Sequence, residues 1–207
     1  MTKKLRWGIL ATGGIAHNVT RDLVATGHDV TAVGSRTLEK ASAFAREFDI
    51  KTAHGSYEDL VADPNVDAIY VATPHPMHVH NAKLALEAGK HVLIEKPFTI
   101  NAREAAEIVA LAKQKNLAVL EAMWTRFLPH MIKVREIIAS GLLGEITSLN
   151  AEHAQALSDD PAHRLNAIEP WRQCPDGSRY LSDFIRLGYF GRTNPHPRRS
   201  ALPFNRR

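Results

Sequence analysis

Short apolar runs alternate with segments of helical apolar spacing over the first 121 residues. The runs predict five strands, at Leu5–Leu10, Val30–Gly34, Asp67–Ala72, His91–Ile94 and Leu117–Glu121. Between them, apolar residues recur three or four positions apart, which is typical of helices with one buried face. An alternation of strands and helices predicts a parallel sheet covered by helices, and therefore the α/β class.

The predicted helices carry recognisable end signals. Met77–Ala88 is predicted to be helical and to end at Gly89, since glycine readily takes the left-handed conformation that closes a helix. Asn101 is predicted to cap the following helix, with Glu104 three residues on as its capping-box partner. Leu38–Phe48 is predicted as a further helix, because two phenylalanines fall on one face, four residues apart.

The pattern changes after the last predicted strand. Pro129–Ser140 is predicted to be a helix, and Glu145–Ala154 alternates like a strand that begins a new sheet. We therefore expect a doubly wound domain over residues 1–122. Residues 123–166 would form a connecting helix and the start of a second domain.

Residues 167–207 have a different composition and show no helix or strand period. They contain no Val and no Lys, and they hold five of the eleven prolines. They carry eight Arg against three acidic residues, whereas the first 166 residues carry 18 basic and 19 acidic side chains. The net charge of +4 therefore comes from the tail, and the folded part gives no electrostatic reason to expect nucleic acid as a partner. We expect this tail to be disordered.

Cysteine usage and hydropathy indicate a cytoplasmic protein. Cys174 is the single cysteine, which excludes an internal disulfide framework and fits a reducing compartment. No apolar run approaches the roughly 20 residues that cross a bilayer. The apolar stretch near the start is short and interrupted by glycine, so it predicts a first strand and turn rather than a signal peptide.

The first predicted strand leads into a glycine-rich turn and a helix. A strand, such a turn and a helix N-terminus hold a pyrophosphate, because small residues let the backbone approach and free amides face the negative charge. The dinucleotide fingerprint is Gly-x-Gly-x-x-Gly/Ala, and alanine replaces its first glycine here. The predicted cofactor contacts are Ala11, Thr12, Gly13, Gly14, Ile15 and Ala16.

The end of the second predicted strand favours NADP over NAD. An NAD site usually has an acidic residue there, which accepts hydrogen bonds from the ribose hydroxyls. This chain has Ser35, Arg36 and Thr37 instead, with Lys40 one helical turn away. Hydroxyls and a guanidinium suit a 2′-phosphate. The alternative is that Arg36 is a solvated surface residue.

Two further loops follow strands at the carboxyl edge, where doubly wound sheets bind ligands. The first contains Thr73, Pro74, His75 and His78, which are predicted cofactor contacts; the alternative for the histidines is a structural or solvated role. The second contains Glu95-Lys96-Pro97. A lysine on a rigid turn beside a nicotinamide can protonate or polarise a substrate oxygen, so Lys96 is the predicted catalytic residue. A surface Lys96 paired with Glu95 is the alternative.

These motifs together resemble one enzyme family. The strings ATGGIA at residues 11–16, TPHPMH at 73–78 and AGKHVLIEKPF at 88–98 look like the glucose–fructose oxidoreductase / inositol 2-dehydrogenase / rhizopine-catabolism family. EAMWTRFLP at 121–129 resembles the branch with dimeric dihydrodiol dehydrogenase and NADP-dependent xylose dehydrogenase.

The resemblance implies an N-terminal Rossmann domain that binds NADP, with Lys96 in the catalytic site. Glu95, Lys96, Trp124 and Arg126 are expected to contact the cofactor. It also implies a second α/β domain that holds a sugar or diol substrate and, in the full-length family, makes the homo-oligomer interface. No metal is expected.

The tail departs from the family pattern. The family continues with an Asp-x-Gly-x-Tyr-Pro motif that is missing here. Codons for residues 171–187, moved by one base, can read GGSALMDLGIYPTSFAW, which contains that motif. We therefore expect a frameshift near Asn166, which would leave residues 167–207 out of frame and impair activity.

Three functions remain open from the sequence. An NADP(H)-dependent oxidoreductase is the leading one, and a non-catalytic dinucleotide-binding protein is the alternative. A nucleic-acid-binding role for the arginine-rich tail is disfavoured, because its arginines lack a helical or aromatic-interleaved pattern.

Overall fold

The computed structural model describes residues 4–148 and Asn150. The chain divides into two compact units, Met1–Trp124 and Thr125–Arg207. The first unit contains six strands: β1 Arg6–Leu10, β2 Asp29–Gly34, β3 Thr52–His54, β4 Ala68–Val71, β5 His91–Ile94 and β6 Val119–Glu121. All neighbouring strands pair in parallel, which confirms the predicted α/β class.

Helices connect the strands. Those of the first unit are α1 Gly14–Ala25, α2 Leu38–Phe48, α3 Tyr57–Ala62, α4 His78–Glu87 and α5 Ala102–Gln114. A 3₁₀ turn, His75–Met77, precedes α4, and another, Trp124–Phe127, spans the end of the first unit. In the described part of the second unit, α6 runs over Pro129–Ala139.

The strand order is β3-β2-β1-β4-β5-β6. The chain therefore places β2 and then β3 on one side of β1. It then crosses back and places β4, β5 and β6 on the other side. The helices that follow β1 and β4 pack on opposite faces, which in doubly wound sheets is the arrangement that places a ligand at the carboxyl edge between the two loops. Leu10 pairs with Gly34 on one side and with Val71 on the other, so three strands end at one level.

Two apolar clusters cover the two faces of the sheet. Alternate residues along each strand point to opposite faces, so Ile9 and Leu10 join different clusters. On one face, Ile9, Val33 and Tyr70 pack against α1 and α2. On the other, the strands pack against α3, α4 and α5, where Leu86 and other side chains are fully buried. Because both faces are covered, the central strand β4 is buried at all four of its positions.

Most predicted helix ends are confirmed. Gly89 follows α4 with a φ of +78°. The Asn101 side chain accepts a hydrogen bond from the N–H of Glu104 at 3.0 Å and so caps α5. The Glu104 carboxylate accepts the N–H of Ile100 at 3.2 Å, one residue before the expected partner.

Three features differ from the predictions or escape them. The short strand β3 and helix α3 were not predicted, because three and six residues are too few to show a period. Helical structure starts at His75 rather than at Met77. The described part of Glu145–Ala154, residues 145–148 and Asn150, contains no strand, and the rest of that segment lies outside the described residues, as do residues 167–207.

Candidate functional site

The turn after β1 has a backbone conformation that alanine rarely adopts. Ala11 has a φ of +89°, in the left-handed region that favours glycine. Its N–H donates to the carbonyl of Gly34 at 2.9 Å, and the N–H of Ala72 donates to the carbonyl of Leu10 at 3.0 Å. These bonds tie the end of β1 to both neighbouring strands. Ala11 thus takes the shape of the fingerprint's first glycine at a cost in backbone energy.

The glycines that follow leave open space above the start of α1. A Cβ atom added at Gly13 or Gly14 would meet no atom within 4 Å, so packing within the protein does not require glycine there. Gly13 caps α1 without a side-chain hydrogen bond, whereas α2, α3 and α5 are each capped by a side chain. No acidic residue lies in the first turn of α1.

The open space and the uncapped helix end fit a phosphate group. The first amides of a helix have no partner within the helix, and the helix dipole favours negative charge at this end. With small residues before them, these amides are accessible to an anion. The turn therefore meets the steric and electrostatic requirements of the dinucleotide fingerprint.

The residues after β2 fit a second phosphate. Ser35 is buried, while Arg36 and Lys40 are exposed. Among the described residues, Arg36 makes no hydrogen bond or ion pair, but its charge lowers the pKa of Tyr57, which burial raises by more. The Thr37 hydroxyl oxygen accepts the N–H of Lys40 at 3.4 Å as the cap of α2. No carboxylate stands at the end of β2.

The loop after β4 is joined to the loop after β5 by His78. The His78 ring has no exposed surface. Its two nitrogens each lie 2.9 Å from a carbonyl oxygen, Nδ1 from that of Pro97 and Nε2 from that of Thr73. Asn81, also fully buried, donates from Nδ2 to the Thr73 hydroxyl at 3.1 Å. The enclosed ring links these two loops, and a contact of His78 with a cofactor stays a prediction.

A buried carboxylate fixes the backbone of Lys96. Glu95 is 7% exposed and accepts two hydrogen bonds, from the Tyr70 hydroxyl at 2.6 Å and from the N–H of Lys96 at 3.0 Å. Burial and this contact raise the pKa of Tyr70 far above its usual range, so the phenol stays a donor. The Lys96 side chain is exposed, and within residues 4–148 it makes no ion pair with Glu95 or another carboxylate.

A second carboxylate holds the same loop from β6. The Oε1 atom of Glu121 accepts the N–H of Phe98 at 2.7 Å. Burial raises the pKa of Glu121, the hydrogen bond from Phe98 lowers it, and the charge of Glu95 raises it further; the net shift is upward. The Lys96–Pro97 peptide is cis. Contacts to Lys96, Pro97 and Phe98 therefore fix three successive residues of this loop.

The other predicted contact residues that the structure describes lie outside the glycine turn, the Arg36 loop and the Lys96 loop. Pro74 is exposed, and the His75 ring packs edge-on against that of His78 at 5.4 Å between centroids. Trp124 and Arg126 are exposed in the 3₁₀ turn Trp124–Phe127, and their contact with a cofactor stays a prediction. Within the described residues, no group of His, Cys, Asp and Glu side chains is arranged to hold a metal ion.

Sequence reasoning missed Tyr70, Asn81 and Glu121. Each is polar at a position where the pattern indicated a buried strand or helix face, and a buried polar group needs a partner. That signal indicates that a partner exists without identifying it.

The glycine turn, the strand order and the loops at one edge define a dinucleotide-binding Rossmann domain. The sequence model of the Gfo/Idh/MocA oxidoreductase family, with an NAD-binding Rossmann fold, matches residues 5–123. The chain belongs to this family.

Several relatives are dehydrogenases. The chain is 45% identical over 183 residues to D-xylose 1-dehydrogenase (NADP(+)) of Hypocrea jecorina, a match that covers 78% of this chain and 46% of the relative. It is 44% identical over 198 residues to trans-1,2-dihydrobenzene-1,2-diol dehydrogenase of Mus musculus, covering 92% and 58%. The chain thus spans about half the length of the curated relatives it matches.

A solved structure has a similar fold. A 3-ketoreductase from Actinomadura kijaniata, in complex with TDP-benzene and NADP, is 31% identical with a TM-score of 0.64. The match covers 69% of this chain and 46% of that one. Within the described residues, no helix is both long and apolar enough to cross a membrane.

Replacing Ala11 by glycine should stabilise the protein. An L-residue in the left-handed region costs about 1–2 kcal/mol, and glycine loses about 0.5–1 kcal/mol of that gain to its more flexible unfolded chain. We expect Ala11→Gly to raise the free energy of unfolding in urea by about 0.5–1 kcal/mol. Ala106→Gly, at an exposed position inside α5, is the control and should lower it by about 1 kcal/mol. A loss of stability in Ala11→Gly would contradict the assigned backbone strain.

Replacing Glu121 by glutamine should stabilise the protein more at pH 7.5 than at pH 5. The raised pKa means that the folded state holds the Glu121 proton more tightly than the unfolded chain does. The charged carboxylate therefore costs stability as the pH rises above its usual pKa of 4.5. Glutamine keeps an oxygen for the N–H of Phe98 and stays neutral.

The measurement for Glu121→Gln is urea unfolding at both pH values. Glu87→Gln, at the exposed end of α4, is the control and should change stability equally at both. An equal change at both pH values in Glu121→Gln would show that the pKa of Glu121 is not raised in the folded protein.

Proposed function

We propose that the protein is an NADP(H)-dependent oxidoreductase that exchanges hydride with a CH–OH carbon of a sugar or diol. The observation that carries the cofactor choice is the end of β2, where Arg36 is exposed beside Ser35 and no carboxylate is present. Its position next to the open glycine turn suits a dinucleotide with an extra phosphate. The relatives' names support the same cofactor.

The chain's residues would divide the binding between two loops. Amides of Gly13 and Gly14 would hold the pyrophosphate, since nothing in the protein fills the space beside them. Ser35, Arg36 and Thr37, with Lys40 close by in sequence, would hold the 2′-phosphate. An arginine suits this role because its planar guanidinium donates two parallel hydrogen bonds to one phosphate.

Lys96 would transfer the proton that accompanies hydride exchange. A bound nicotinamide supplies or accepts the hydride. Lys96 would protonate the substrate oxygen in one direction and accept its proton in the other. The backbone of Lys96 is fixed by Glu95, and the next two residues are fixed by His78 and Glu121, which limits the positions that the ammonium group can reach. A positioned acid–base group needs such a support.

The substrate class follows from the relatives rather than from this chain's residues. The named relatives act on D-xylose or on trans-dihydrodiols, both of which carry a CH–OH group. The chain spans about half of their length. We therefore propose the substrate-holding surface and any subunit interface for the whole protein rather than for this chain alone.

The reading frame of residues 167–207 remains part of the proposal. We propose that these residues are out of frame and that the chain with this tail has little turnover. The match to the mouse enzyme covers 92% of the chain and therefore includes residues beyond Asn166, as an in-frame tail would allow. Resequencing the gene around codon 166 distinguishes an out-of-frame tail from an in-frame tail. A gene sequence that encodes this tail in the family's frame would remove the proposal.

Replacing Arg36 by alanine should weaken NADP(H) binding and leave NAD(H) binding nearly unchanged. A bidentate contact to phosphate is worth about 1.5–3 kcal/mol, so the dissociation constant should rise about tenfold or more. Arg103→Ala, an exposed arginine on α5, is the control and should bind like the wild type. Titration of both cofactors measures this. Equal affinity of the wild type for NAD(H) and NADP(H) would contradict the assigned specificity.

Replacing Lys96 by methionine should remove turnover while cofactor binding persists. General acid–base groups contribute about a hundredfold to ten-thousandfold in rate, so kcat should fall by that factor. The assay is NADP+-dependent oxidation of D-xylose and trans-dihydrodiols by a version of the protein repaired by one base near codon 166, with and without Lys96→Met. Lys113→Met, exposed in α5, is the control. Near-normal turnover in Lys96→Met would exclude the lysine from the mechanism.

A further inference from the structure

His17 lies in the first turn of α1 and contacts both the glycine turn and α2. Its Nδ1 atom lies 3.0 Å from the carbonyl oxygen of Gly13, and its Nε2 atom lies 3.2 Å from a carboxylate oxygen of Glu47. The ring packs edge-on against Phe44, at 4.5 Å between centroids, and against Phe48, at 5.7 Å. These four contacts define one orientation of the ring.

Both atoms that face the ring nitrogens are hydrogen-bond acceptors. The carbonyl oxygen of Gly13 and the carboxylate oxygens of Glu47 accept hydrogen bonds and do not donate them. A neutral imidazole donates from one nitrogen only, whereas an imidazolium donates from both. The charged form of His17 therefore satisfies both contacts, and the neutral form leaves a lone pair facing one of the two oxygens.

The ring lies beside the place where phosphate would bind. Gly13 is the cap of α1, whose free amides face the open space. A cation at a helix N-terminus is disfavoured by the helix dipole, and the Glu47 carboxylate offsets this. A bound pyrophosphate adds negative charge at the same end of the helix. The anion therefore favours the imidazolium, and by reciprocity the imidazolium favours the anion.

We propose that His17 and Glu47 couple dinucleotide binding to proton uptake, so that the cofactor binds more tightly when His17 is charged. This inference rests on the proposed function, because it requires the dinucleotide at this turn. Histidine as a residue type is suited to such a coupling, because its imidazole can exist in a neutral and a charged form. His17 lies outside the glycine fingerprint and would thereby have a role in cofactor binding.

Few other charges face the ring. From α2, Glu47 is the carboxylate within ion-pairing distance in the part of the chain that the structure describes. The other α2 side chains in contact with the ring are phenyl groups. On α1, Arg21 lies one turn further along, with its guanidinium 3.4 Å from the Asn18 side-chain oxygen. The turn of residues 11–13 carries no titratable side chain.

The test is the affinity of this chain for NADP+ and NAD+ between pH 6.0 and 8.5, by calorimetry at constant ionic strength. NAD+ removes the 2′-phosphate, whose own titration near pH 6 acts in the opposite direction. For the wild type with NAD+, we expect binding to be about three- to tenfold tighter at pH 6.0 than at pH 8.5. Measurements in two buffers of different ionisation enthalpy should show net proton uptake at pH 7.5.

Three variants locate the coupling. His17→Gln should lose the pH dependence and the proton uptake with NAD+, and the same change in slope should appear with NADP+. Glu47→Gln should move the loss of affinity to lower pH. His28→Gln, an exposed histidine beyond the other end of α1, is the matched control and should behave like the wild type.

The outcomes separate this inference from the proposed function. An unchanged pH dependence in His17→Gln, or binding without proton uptake in the wild type, would overturn the coupling while dinucleotide binding stands. If the wild type binds neither dinucleotide at any pH, the proposed function fails, and the coupling fails with it.

Discussion

The parallel direction of all six strands determines where the candidate site lies. Parallel strands end at one edge, so the loops that leave them meet there even when they are far apart in sequence. The reversal of strand order between β1 and β4 separates their two loops, which is where doubly wound sheets bind ligands. The glycine turn, the Arg36 loop and the Lys96 loop are all at this edge for that reason.

The support of Lys96 depends on a carboxylate that is costly to bury. A buried charge needs hydrogen-bond partners, and Glu95 has the Tyr70 hydroxyl and the N–H of Lys96. Glu121 lies close enough for the two carboxylates to repel each other, which contributes to its raised pKa. The repulsion accompanies a structural gain, because both carboxylates fix the backbone around Lys96. The repulsion lowers the free energy of unfolding, but the two carboxylates hold rigid the loop that the proposed chemistry uses.

The sequence predicted the parts of the structure that have a period or a fixed motif. The strands Ala68–Val71 and His91–Ile94 fall within apolar runs that the sequence shows, and Asn101 with Glu104 forms a recognisable cap. Ala11 was identified as the first fingerprint position, although only the structure shows that it takes a glycine conformation.

Contacts between distant segments were not predictable in the same way. Tyr70 and Glu95 are 25 residues apart, and no local pattern relates one to the other. The pairing of His17 with Glu47 also depends on how two helices pack on the same face. A single sequence shows that a polar group lies in a buried segment, but the identity of its partner comes from the tertiary structure.

The most direct test of the account is a crystal structure of this chain grown with NADP+. The account predicts the pyrophosphate against the amides of Gly13 and Gly14, the 2′-phosphate against Arg36, and the nicotinamide at the carboxyl edge near Lys96. A dinucleotide bound elsewhere on the domain, or a 2′-phosphate that points away from Arg36, would contradict it.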